Sequence, residues 1–325
     1  MNAVISESSD STPTLTADDI GRINEFYVWD VADLDESVKT SMAFCGEPAA
    51  RPVADTPVET WLRGLLAHVR KHHPKDIDFR VEYRHEGNLY LYRGHRDTTV
   101  NHPLLALRRH PIESPRLEDL SLPAYWRDLL MQPRLLKGGL VLIAAVTGQG
   151  KSTTIAGMVR SRLERYAGFC RTIEDPPELP LHGTHGSGIC IQTPVSLDDG
   201  REGLAEALRS ALRSFPALPS GGTICVVGEV RDAETAAVLL QAAVNGHLVI
   251  TTVHANDITT ACSRICSMAS GAMPEVMARE LFASGLIYAI HQSLTFDPNQ
   301  AGWKRGKVGG DILASFDNAS SVASM

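Results

Sequence analysis

The sequence predicts an α/β protein: a nucleotide-sized domain built on a mostly parallel sheet, preceded by a small α+β domain. Three observations predict it. An apolar run at Gly139–Ala144 leads into the Gly-rich segment Ala145–Thr153, and a helical stretch from Thr153 to Tyr166 follows. From Leu136 onward, apolar strand-like runs alternate with helical patterns, as expected of a parallel sheet covered on both faces. Before residue 125 the pattern is different, with one amphipathic helix and paired alternating strands.

Taken in chain order, residues 1–18 are rich in Ser, Thr and Asp and read as a disordered tail. Residues 46–57 carry three prolines and read as a linker or long loop. Val58–Lys71 places Trp61, Leu62, Leu65, Leu66 and Val69 on one helical face. Asp78–Tyr83 and Asn88–Arg93 alternate as strands, with a turn signal at His85–Asn88. Residues 168–173, 223–227 and 247–253 read as buried strands. Residues 201–215, 233–245, 258–268 and 274–293 read as helices. This divides the chain into a tail (1–18), an N-terminal α+β domain (19–125), an α/β domain (126–295) and a C-terminal tail (296–325).

The 325 residues carry a net charge of −7, which argues against a protein whose main task is coating nucleic acid. No run approaches the ~18–20 apolar residues needed to span a bilayer. No basic region followed by an apolar stretch opens the chain, so the expected location is the cytoplasm. The six cysteines form no paired CxxC set and read as free thiols rather than a zinc site.

The segment Ala145–Thr153 has the physical make-up of a phosphate cradle. A strand, a Gly-rich turn, Lys-Ser and a helix N-terminus present backbone N–H groups and a partial positive charge to an anion. Thr147, Gly148, Gln149, Gly150, Lys151, Ser152 and Thr153 are the candidate nucleotide-binding residues. Lys151 would reach the β/γ-phosphates and Ser152 would ligate Mg²⁺. Ala145 replaces the first glycine of the GxxxxGK[ST] pattern and adds only a methyl.

Three downstream segments narrow the chemistry. Arg171–Glu178 puts Glu174, Asp175 and Glu178 directly after a strand. Gly228–Asp232 puts Glu229 after the next apolar strand, at a Walker B position, where a carboxylate orders Mg²⁺ or polarises water. His247 and His254 flank a third strand, and a histidine near phosphates can sense the γ-phosphate. In this order and spacing, the residues from about Leu120 to Leu294 resemble the ATPases of type II secretion, type IV pili and type IV secretion, most of all the PilT-like and DotB-like branch. Thr172–Glu178 resembles that family's Asp box, with Pro177 where an aliphatic residue is usual. Gly228–Asp232 resembles its Walker B motif and Gly246–Asn256 its His box.

The resemblance implies a RecA-like P-loop NTPase domain behind a PAS-like N-terminal domain. It implies ATP and Mg²⁺ as cofactors and a homohexamer acting with an inner-membrane platform or other machine components. Association with the cytoplasmic face of the inner membrane would be peripheral, through partners, with no sequence-specific nucleic acid. By the same resemblance Glu229 is the catalytic carboxylate, Glu174 and Glu178 support metal and water, and His247 and His254 sense or position. The metal set is Ser152, Glu178 and Glu229. Leu107–Pro111 resembles the arginine-bearing turn lent to a neighbouring subunit, which makes Arg108 the trans arginine, with Arg93 as a second candidate. Arg209 and Arg213 fall on the helix before Walker B and would face a subunit boundary. No C-terminal helix like that of pilus-retraction members follows Leu294, so conjugation or effector secretion is favoured over retraction. Two alternatives stay open: a RecA-like nucleic-acid motor, and a ring component that binds ATP but turns it over weakly.

Overall fold

The computed structural model describes residues 14–46, 49–174, 177–195, 203–297, 304 and 306–315. Internal contacts divide the chain into two units, Met1–Ile112 and Glu113–Met325. The division falls at 112/113, earlier than the boundary at 125 expected from the sequence.

The first unit is an antiparallel sheet with a helix on one face. Its strands are β1 (Glu25–Trp29), β2 (Met42–Phe44), β3 (Arg51–Pro52), β4 (Asp78–His85), β5 (Asn88–Asp97) and β6 (Leu104–His110), in the order β3-β2-β1-β6-β5-β4. Its helices are α1 (Leu34–Lys39) and α2 (Val58–His72). The stripe read from the sequence is the buried one: Trp61, Leu62, Leu65, Leu66 and Val69 face the core. Trp61 stacks on Phe26 at 5.6 Å between centroids and meets Tyr83 edge-on at 5.8 Å. Along β4 burial alternates, with Phe79, Val81 and Tyr83 inward. The β4–β5 connection has Glu86 at φ 50° and Gly87 at φ 80°, the left-handed pair that a two-residue hairpin turn requires.

Two expectations change here. Of the tail assigned to 1–18, residues 1–13 lie outside the described residues, but Leu15 is buried and Thr16 bonds Asp19 at the head of a 3₁₀ turn, Ala17–Gly21. Composition missed this because one apolar anchor and one cap suffice to dock the segment. Leu107–Pro111 is not a turn either, since Arg108 sits within β6. There it lies opposite Arg93 on β5 and Glu25 on β1, a register set by alternation of buried Leu105 and Leu107 with exposed Arg108.

The second unit is an eight-stranded sheet with helices on both faces. Its elements are α3 (Ala124–Leu130), β7 (Gly139–Ala144), α4 (Lys151–Tyr166), β8 (Phe169–Glu174), β9 (Gly183–His185), β10 (Gly188–Pro194), α5 (Leu204–Arg213), β11 (Thr223–Val227), α6 (Ala233–Val244), β12 (Leu248–Val253), α7 (Ile258–Ala269), α8 (Glu275–Gly285), β13 (Leu286–Phe296) and β14 (Gly306–Ala314). The order is β14-β13-β7-β12-β11-β8-β10-β9, parallel through its centre with β14 and β9 antiparallel at the edges. Every residue of β7, β11 and β12 is buried, because α3 and α4 cover one face and α5–α8 the other. That is why these strands read as unbroken apolar runs.

The helix expected over 274–293 is instead a helix that ends at Gly285 and a strand that begins at Leu286. The run Leu286-Ile-Tyr-Ala-Ile is apolar enough to suit either state. Its place between β7 and β14 makes it a strand. The C-terminal segment from 296 also carries structure: β14 pairs with β13 from Tyr288↔Ala314 to Phe296↔Gly306. Its glycines, Gly309 and Gly310, hide the period-2 pattern.

Candidate functional site

The site grows from the carboxyl edge of the parallel strands. Strand β7 ends at Ala144 and α4 begins at Lys151, so residues 145–150 form the loop between them. Gly148 and Gly150 adopt φ of 78° and 77°, which a side chain would strain. Ala145 is fully buried and is not among the left-handed residues, so its methyl is tolerated where the usual pattern has glycine. Val146, Thr147 and Gly148 are exposed and Ser152 and Thr153 half-buried at the start of α4. Lys151 is buried, and its Nζ donates to the carbonyls of Ala145 (2.9 Å) and Val146 (3.1 Å). Burial lowers its pKa, and the charges of Glu229 and Glu178 act in the opposite direction.

The carboxylates converge on the same edge. Glu229 follows β11 and lies in a clamp. Arg231 donates from Nε (3.0 Å) and Nη2 (2.8 Å) to its Oε2, and His254 Nε2 lies 3.4 Å from its Oε1. The turn that carries it is pinned by β12, where Thr251 and Thr252 hydroxyls donate to the carbonyls of Val227 (2.8 Å) and Gly228 (2.6 Å). Asp232 is taken up by capping α6 through the Thr235 N–H (2.8 Å). Glu174, at the end of β8, lies beside Gly228: a Cβ there would stand 3.5 Å from Glu174 Cγ, an ordinary contact. Burial pushes the Glu174 carboxyl up, and neighbouring Glu178 adds to the rise. Glu178 is exposed beyond it, while Asp175 lies outside the described residues.

Two glutamines that the sequence did not single out hold this edge together. Gln192 on β10 donates to Glu174 Oε1 (3.2 Å) and to the Leu179 carbonyl (2.9 Å). It accepts from the N–H groups of Leu181 (2.8 Å) and His182 (2.9 Å). It thereby ties the segment after Glu178 to the sheet. Gln292 on β13 bonds the Gln149 carbonyl (2.6 Å) and the Thr154 hydroxyl (2.8 Å). Neither belongs to a sequence motif that could have flagged it, and the only signal is a polar residue within a strand, half-buried for Gln192 and buried for Gln292.

His247 does not join the site. It precedes β12, whose other end leads to His254, and the seven steps from one to the other, at roughly 3.3 Å each, separate the two by about 23 Å. At the amino edge its Nδ1 lies 3.0 Å from Thr223 Oγ1, its ring tilts over Phe215 at 4.8 Å, and burial lowers its pKa. Of the two histidines expected to sense or position, His254 therefore stands at the edge that carries Lys151 and His247 at the opposite edge. Arg108 belongs to the other unit, where its Nε donates to Glu25 Oε1 at 2.6 Å and its side chain is 67% exposed. Arg209 and Arg213 pair with Glu206, and Arg209 also with Glu234.

Among the described residues no group of three or more His, Cys, Asp or Glu side chains is placed to hold a metal ion. The donor set near Lys151, one hydroxyl and separated carboxylates, suits a cation that brings most of its oxygen ligands with a phosphate. Among the same residues no helix is long and apolar enough to cross a membrane.

A family model described as type II/IV secretion system protein matches residues 101–300. A twitching motility protein of Neisseria gonorrhoeae is 32% identical over 226 residues, 69% of this chain and 56% of its own length. The type IV pilus ATPase PilU of Pseudomonas aeruginosa is 37% identical over 161 residues, 50% of this chain and 38% of its own. The chain thus spans about half the length of these relatives. Among solved structures, the ATPase DotB of Legionella pneumophila superimposes with a TM-score of 0.69 at 20% identity, over 97% of this chain and 88% of that one. The pilus retraction motor PilT with bound ADP gives 0.65 at 24% identity, over 95% and 86%. These likenesses establish the α/β fold with its mixed sheet.

Proposed function

This chain belongs to the type II/IV secretion system protein family, and on that premise we propose that it hydrolyses ATP to drive conformational change in a secretion, conjugation or pilus machine. The observation that carries the reading is the convergence, at one sheet edge, of the Lys151 loop with Glu229 and Glu174. The loop N–H groups and the α4 N-terminus receive the phosphates, and Lys151 leaves the Ala145 and Val146 carbonyls to bind the β/γ-phosphate oxygens. Ser152, Glu178 and Glu229 are the residues that would hold Mg²⁺, directly or through water, and the ion would supply neutralisation of phosphate charge. Glu229 polarises the attacking water. His254 and Arg231 flank its carboxylate, and Glu174, half-buried beside Gly228, is a second carboxyl at the same edge.

The test is phosphate release by the wild type and by Lys151→Ala. We expect activity in the first and none above background in the second. Equal release would remove the loop from the reaction. Stimulation of turnover by DNA at physiological salt would favour a nucleic-acid motor instead.

The same reading places the protein in a homohexamer at the cytoplasmic face of the inner membrane, with Arg108 directed to the nucleotide of the adjacent subunit. An arginine supplied in trans is worth ~10³–10⁵ in rate in other P-loop enzymes. Mixing Arg108→Ala with Lys151→Ala subunits should restore part of the activity that each pure variant lacks. A monomer with full activity would overturn both the ring and the trans arginine.

A further inference from the structure

We propose that Gln292 is a positioning residue for the phosphate-binding loop, acting through the Gln149 carbonyl and the Thr154 hydroxyl; this rests on the nucleotide-binding reading above. Strand β13 runs parallel to β7 with His291 beside Ala144, so residue 292 comes level with the point where β7 gives way to the loop. Gln292 is 1% exposed, a strand position where an apolar side chain is the ordinary occupant. Its amide faces two different partners. A backbone carbonyl can only accept, so the NH₂ group lies against Gln149 O, at 2.6 Å. The amide oxygen is thereby turned to the Thr154 hydroxyl, at 2.8 Å.

The tie is reciprocal. Gln149 Oε1 accepts the Leu294 N–H at 2.7 Å, so residue 149 is bonded to β13 through both its backbone and its side chain. Thr154, in the first turn of α4, is bonded to the same strand. The amide also packs on the loop's left-handed corner, where a Cβ on Gly150 would stand 3.2 Å from Gln292 Nε2.

The consequence follows from what a phosphate cradle needs. Its backbone N–H groups must converge before the anion arrives, yet Gly148 and Gly150 leave the backbone unusually free. Ordering such a loop at the moment of binding subtracts from affinity, and fixing it beforehand returns that free energy. Gln292 touches no reacting atom. It fixes the loop's shape, so its loss weakens nucleotide affinity more than it slows chemistry once nucleotide is bound.

The experiment uses the full chain, a fluorescent ADP analogue and thermal unfolding, measured well below each variant's Tm. Gln292→Met keeps the length and removes both bonds. The loss of one such hydrogen bond to a buried group corresponds to about tenfold in Kd. We expect that weakening, with KM for ATP rising by a similar factor and kcat falling by less. Gln292→Glu keeps the acceptor for Thr154 but sets a carboxylate oxygen against the Gln149 carbonyl. It should bind worse than Gln292→Met at pH 8 and recover as the pH falls toward 5, when a protonated carboxyl can donate again. The wild type should show no such recovery. Should Gln292→Met fail to fold, Thr154→Val removes the second partner alone and should weaken binding several-fold. Variants that unfold at lower temperature yet bind the analogue with wild-type affinity would reduce Gln292 to a packing role and overturn the proposal. A folded wild type that binds no analogue would instead overturn the nucleotide-binding reading, and the proposal with it.

Discussion

His247 and His254 stand at the two ends of one strand and live in opposite chemistries. At the carboxyl edge, His254 lies 3.4 Å from Glu229, and the charge of Glu178 acts on both Lys151 and Glu174. At the amino edge, His247 is packed on Phe215 and held by Thr223, and backbones approach so closely that a Cβ at Gly138 would strike Gly246 and one at Gly168 would strike Gly222. The difference teaches what strand polarity does. Parallel strands all deliver their carboxyl ends to one edge, where loops lead into helix N-termini and attract anions. The opposite edge receives helix C-termini through tight glycine turns and serves cohesion. Two identical side chains therefore acquire different work from the direction of the strand between them.

The comparison breaks most easily at Glu229. Glu229→Gln keeps shape and the Arg231 contact but loses the carboxylate. We expect it to bind ATP and to hydrolyse it ~10²–10⁴-fold more slowly, the usual cost of removing a water-activating group. Single-turnover kinetics with separately measured affinity check this. Normal turnover in Glu229→Gln, with none in Glu174→Gln, would move the chemistry from the end of β11 to the end of β8.

The histidines sharpen the contrast. His254→Ala removes the imidazole that lies 3.4 Å from Glu229 Oε1 and should lower kcat by up to about tenfold, the scale of losing one polar neighbour of the carboxylate. His247→Ala should leave kcat within about twofold and cost ~1–2 kcal/mol of stability through the lost Thr223 bond and Phe215 packing. Paired assays of kcat and urea midpoint check both, and a reversal of the two effects would void the assignment of chemistry to one edge.

Much of this was legible in the sequence because the signals are local. The Ala145–Thr153 loop declares itself within one strand–turn–helix unit, and β7, β11 and β12 show as apolar runs because both their faces are covered. Glu174, Glu229 and His254 each follow such a run directly. What stayed hidden depends on contacts distant in sequence. Nothing local in Leu286–Phe296 distinguishes a strand from a helix, since the distinction comes from pairing with β7 and β14. Gln192 and Gln292 matter only through segments that the fold brings to them. The separation of His247 from His254 was readable all along from the length of the strand between them. Strand rise keeps them about 23 Å apart.

The smallest effect concerns protons rather than catalysis, and it tests the amino edge alone. Burial lowers the His247 pKa below its ordinary value of 6.5. The neutral imidazole is thus the form the fold accepts, while the unfolded chain protonates as soon as the pH drops below about 6.5. The unfolded state then binds more protons than the native state, so stability is complete above that pH and declines as the pH falls toward the lowered native pKa. His247→Gln has no such proton to exclude. Its stability at neutral pH should lie somewhat below that of the wild type, and its loss between pH 7 and pH 5 should be shallower. Other histidines titrate in both proteins, so the difference between the two curves carries the information. Parallel curves would mean that His247 is as readily protonated in the fold as in the unfolded chain, and that its packing on Phe215 does not disfavour the charged ring.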